Sequence, residues 1–63
     1  MKKLFTKNDM RIIKSILVRC SKEGATSKQN ITLIVYEYLS VTNKGLEHTM
    51  NVIEYVYNRL NFN

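Results

Sequence analysis

The sequence predicts an all-α fold, a compact domain of three short helices. Three observations carry this reading. Apolar residues recur at steps of three and four in three separate blocks, the period of a helix rather than a strand. The two glycines, Gly24 and Gly45, fall between the blocks, and proline is absent. No tight two-residue turn links two alternating runs, so a hairpin has no support.

Residues 1–6 read as a basic flexible tail, and residues 7–63 as a single domain. The first helix begins near Asn8 or Asp9. Either side chain can accept the free N–H groups of a first turn. Met10, Ile13, Leu17 and Cys20 form its apolar stripe, widened by Ile12 and Ile16. Gly24 suits a left-handed C-terminal cap after Glu23. Thr26 or Ser27 then caps a second helix, which buries Ile31, Ile34, Val35 and Tyr38, with Leu33, Tyr36 and Leu39 as flanks. The run Ile31–Tyr36 is β-prone, yet it lacks a pairing partner and is read as helix. Residues 40–45 form the second turn, with Thr42 or Asn43 as cap. Leu46, Met50, Ile53, Tyr57 and Leu60 make the seam of the third helix, flanked by Thr49 and Val56. Residues 61–63 are expected to fray, with Phe62 able to fold back onto the core.

With 63 residues the chain is short for a self-sufficient core. One cysteine excludes an internal disulfide, and one histidine excludes a Cys/His zinc site. No cofactor is expected. Gly-rich phosphate loops, paired carboxylates and nucleophile motifs are missing, so the reading is not an enzyme. Glu47 and His48 are neighbours in sequence and diverge on a helix. Cys20, on the apolar stripe, reads as a small core residue. No signal peptide or membrane span is read, which predicts a cytoplasmic protein with Cys20 reduced.

The net charge is +5. It is concentrated in the first 28 residues, where eight cations meet two acids. Lys7, Arg11 and Lys14 share one helix face, and Arg19 and Lys22 follow near the helix C-terminus. A one-sided basic surface suits a polyanion, so double-stranded DNA is the expected partner. An anionic membrane ranks last, because the first helix has a core to pack against.

Three helices, two turns and a basic face resemble helix-turn-helix DNA-binding domains, in element order over residues 10–60. Two placements follow from the resemblance. In one, Cys20 and Gly24 stand as the small residue and turn glycine of the motif. Ser27, Lys28, Gln29, Asn30 and Thr32 then present the reading surface. Asn30 departs from the pattern, which wants an apolar residue there. In the other, Gly24-Ala25-Thr26 is similar to the turn before the positioning helix of winged-helix domains. Asn43, Lys44, Glu47, His48 and Asn51 then face the bases, and no wing follows. The second placement is preferred for its longer helix. Lys7, Arg11, Lys14 and Lys22 would contact phosphates, and Lys28, Gln29, Asn30, Lys44, His48 and Asn51 are the candidate base-contact residues. The resemblance implies a transcriptional regulator acting as a dimer.

Tyr36, Tyr38, Tyr55 and Tyr57 form two Tyr-x-Tyr pairs, and residues two apart cannot share a helix face. Tyr36 and Tyr55, with Val18, Val41 and Val52 off the seams, predict surplus apolar surface and hence a homodimer. Tyr36, Tyr55 and Val52 are its expected interface. The same surface supports the competing expectation, a small interaction module that binds a larger protein.

Overall fold

The computed structural model describes residues 5–40 and 44–62. Three helices account for nearly all of them: α1 (Lys7–Glu23), α2 (Lys28–Leu39) and α3 (Leu46–Phe62). Each packs against the other two, and the core lies between them.

The start of α1 differs from the sequence reading by two residues. Thr6 is the N-cap, and Asp9 sits one turn inside the helix. The Asp9 N–H donates to Thr6 Oγ1 at 3.1 Å, and the Thr6 N–H donates to Asp9 Oδ2 at 2.9 Å. This capping box satisfies two donors at once, which a cap on Asn8 or Asp9 could not do. Phe5 packs against the core, its ring edge-on to Tyr55 at 5.5 Å. The fold therefore includes Phe5 and Thr6, which the sequence reading gave to the tail. Residues 1–4 lie outside the described residues.

Gly24 ends α1 with φ +68°. The Gly24 N–H donates to Ser21 O, and the Ala25 N–H donates to Cys20 O at 2.8 Å. Those two bonds satisfy carbonyls the helix leaves open. Ser27 caps α2 by accepting from the Asn30 N–H. The β-prone run Ile31–Tyr36 is helical throughout. The Gly45 carbonyl accepts from the Thr49 N–H at 3.2 Å and from the Thr49 hydroxyl at 3.0 Å. Thr42 and Asn43, the expected caps, lie outside the described residues. So does Val41.

The core comprises Ile13, Ile16 and Cys20 from α1, Ala25, Ile31, Ile34, Val35 and Leu39, and Val52, Ile53 and Val56 from α3. In α2 the flank Leu39 is buried, while Tyr38 is only half-buried. In α3 the period is as expected but the phase is not. Thr49, Val52 and Val56 face inward, whereas Leu46 and Met50 are exposed. Val52 is 1% exposed, which removes it from any interface. Tyr55 is half-buried, its ring edge-on to Phe5. The last turn of α3 is helical to Phe62, and Asn61 Nδ2 donates to Thr26 O and Tyr57 O. The chain end up to Phe62 is thus tied to the α1–α2 turn. Phe62 itself is exposed, edge-on to Tyr57 at 6.3 Å.

Two stability predictions follow from this packing. Ile16→Ala, which empties a fully buried site, is expected to cost about 2–5 kcal/mol in chemical denaturation, while Val18→Ala on the exposed face costs under about 0.5 kcal/mol. Nothing lies within 4 Å of a Cβ added at Gly24, so Gly24→Ala isolates the backbone cost of the left-handed cap. That cost is about 1 kcal/mol, and Gly24→Asn should recover part of it.

Candidate nucleic-acid interface

A helix turns 100° per residue, so Lys7, Arg11, Lys14, Val18 and Lys22 fall within about 80° of arc on α1. The buried face of α1, with Ile13, Ile16 and Cys20, points the opposite way. All five residues are exposed. Lys7 to Lys22 spans about 22 Å along the helix.

The structure divides the cations into two groups. Arg19 pairs with Glu23 and with Glu37 at 3.2 Å, which crosses from α1 to α2. Lys28 pairs with Glu54 and lies over the Tyr57 ring at 5.2 Å, which crosses from α2 to α3. The Glu54 carboxylate holds the Lys28 ammonium above its ordinary pKa. Lys44 Nζ donates to Asp9 Oδ1 at 2.9 Å. Each of these three cations is balanced by a neighbouring carboxylate. Lys7, Arg11, Lys14, Lys22 and Arg59 form no ion pair among the described residues.

Asp9 is the charged centre of the fold, only 5% exposed. Its carboxylate accepts from Lys44 and from the Thr6 backbone, and His48 Nε2 stands 3.6 Å away. The Lys44 hydrogen bond contributes most to holding its pKa down at about 2, below the usual 3.8. Phe5 closes the same corner, its ring 6.0 Å from the His48 ring. Lys44 and His48 are thus structural partners of Asp9 rather than members of a free reading face. Lys28 is similarly occupied by Glu54.

The expected site residues therefore do not converge. Lys7, Arg11, Lys14 and Lys22 share the outer face of α1. Lys28, Gln29 and Asn30 sit on the first turn of α2, where Gln29 and Asn30 are exposed and make no side-chain hydrogen bond among the described residues. Asn51 is half-buried on α3. Asn43 lies outside the described residues. One residue of the basic surface, Arg59, escaped the sequence reading. Arg59 meets Lys22 across a shallow groove lined by Leu17, Val18, Ser21 and Leu60. Val18 also borders a second groove with Lys14, Ser15, Arg19 and Tyr38. The signal for Arg59 was its place beside Leu60, which lines the same groove as Leu17 of α1.

Cys20 is fully buried, and burial raises its pKa, which leaves no nucleophilic thiolate. Among the described residues no group of three or more His, Cys, Asp or Glu could hold a metal ion. No described helix is long and apolar enough to cross a membrane. Comparison with known protein families, with curated proteins and with solved structures finds no match to this chain.

Asp9 sets a pH dependence whose sign is fixed. A carboxyl with a depressed folded pKa stabilises the fold above about pH 4 and loses that contribution as pH falls toward 2. The stabilisation amounts to about 2 kcal/mol. Asp9→Asn should therefore melt well below the parent at pH 7, and the gap should narrow between pH 4 and 2.

Proposed function

We propose that this protein binds nucleic acid, double-stranded DNA in particular, through the outer face of α1, and acts as a small dimeric regulator of transcription. One observation carries the reading. Among the described residues Lys7, Arg11, Lys14 and Lys22 form no ion pair and stand in a row on one face, while the cations at the starts of α2 and α3 are bound to acids. A row about 22 Å long matches several phosphates of a duplex, which carries one charge per about 1.7 Å of axis. Arg59 extends the row at its Lys22 end.

The support is for phosphate contact. Phosphate contacts position a protein without reading sequence. Of the helix-turn-helix-like placements, the first retains Gln29 and Asn30 as exposed amides suited to adenine. In the second, Lys44 is paired with Asp9 and His48 Nε2 stands 3.6 Å from the same carboxylate. The competing reading, a module that binds another protein, is favoured by the apolar residues left exposed on α2 and α3.

Fluorescence anisotropy with a labelled random-sequence duplex tests the proposal. Four phosphate contacts give a slope of log affinity on log salt near −3.6, so binding should weaken about 100-fold between 50 and 200 mM salt. Lys14→Ala should weaken every sequence alike and reduce the slope by about one unit. Lys28→Ala should leave the slope almost unchanged. Failure to bind at low salt, or a slope insensitive to Lys14, would overturn the reading.

A further inference from the structure

Among the described residues six large apolar side chains are exposed, and four of them lie on α2 and the first half of α3. Leu33 and Tyr36 stand one turn apart on the outward side of α2, 60% and 47% exposed. Leu46 and Met50 stand one turn apart on α3, 65% and 57% exposed. The two pairs meet where Tyr36 and Leu46 face each other across a groove that Leu39 and Thr49 also line.

We infer that two copies of this chain pair through this α2–α3 face. Three features favour a second copy as the occupant. First, the four side chains expose on the order of 400 Å² of mostly apolar surface, the size of a patch that is often functional. Two copies would remove about 800 Å² of it from water. A polar rim from Gln29, Ser40 and Glu47 brings the total near the 1,200 Å² where stable interfaces begin.

Second, the face is electrically compatible with itself. A two-fold interface sets one patch against its own copy, so a strongly charged patch would repel. Here Lys28 and Lys44 are already neutralised by Glu54 and Asp9. Among the described residues the cations without an ion pair are four on the outer face of α1 and Arg59, which lines the α1–α3 groove with Lys22 and not this patch. Third, the face carries both a projection and a recess: Met50 is exposed on α3, and Tyr36, Leu39 and Thr49 line a groove beside Leu46. The result is an α2–α3 helix pair packed on its twin, a four-helix arrangement with both α1 basic faces pointing away. This interface replaces the Tyr55 and Val52 surface expected from sequence and retains Tyr36.

Sedimentation equilibrium in buffer free of nucleic acid tests the inference separately from duplex binding. The full chain is spun at about 5 to 500 μM, the range in which an interface of this size associates. The mass should rise from 7.4 kDa toward twice that value. Met50→Glu and Leu33→Glu should each weaken association at least about tenfold. Both sites are exposed, so circular dichroism should report an unchanged fold; Leu46→Gln serves in place of either that does not fold. Val18→Glu, on α1, should leave association unaltered. A mass of 7.4 kDa at every concentration would overturn the inference and leave the patch to a different protein. Association that is insensitive to Met50 and Leu33, or equally sensitive to Val18, would overturn it as well.

Discussion

The buried carboxylate of Asp9 is the constraint on which this small fold turns. It closes the first turn of α1 through Thr6 and takes the Lys44 ammonium, with the His48 ring nearby. One side chain therefore fixes the start of α1 against the start of α3. A charge this deeply buried is costly unless each oxygen is satisfied. Here Oδ2 accepts from the backbone and Oδ1 from Lys44, so the contact is specific as well as strong. In a chain too short for a large core, such a contact selects one arrangement of helices where apolar packing alone would tolerate several.

The same contact shapes the electrostatic surface. By holding Lys44 it removes positive charge from the start of α3. Glu54 does the same for the start of α2, and Glu23 and Glu37 for Arg19. Exposed pairs of this kind add little stability. Their consequence is to leave the excess positive charge of the described residues on the outer face of α1 and at Arg59. A basic stripe on one element and a neutral apolar face on two others separate two kinds of surface in a very small protein.

The fold class was legible because helix periodicity is local. The glycine positions were legible too: Gly24 adopts the left-handed conformation that its place after Glu23 implied. What was lost was phase. In α3 two stripes overlap at the same period, Leu46-Met50-Ile53-Tyr57 and Thr49-Val52-Ile53-Val56. Hydrophobicity favours the first, but close helix approach favours the smaller β-branched side chains of the second. Asp9 was hidden for a related reason. A carboxylate reads as surface until Lys44, 35 residues away, is brought to it. The basic face of α1 was readable because it needs only one helix. The pairing of Lys28 with Glu54 and of Lys44 with Asp9 needs the tertiary fold.

In the proposed binding mode α1, and not the start of α2 or α3, meets the polyanion. This mode is tested most directly by amide chemical-shift mapping of the folded protein titrated with a short duplex. The account places the largest shifts at Lys7, Arg11, Lys14, Val18 and Lys22, with smaller ones around Arg59. Shifts centred on Gln29 and Asn30, on Lys44 and His48, or on Leu33 and Tyr36, with α1 unmoved, would contradict it.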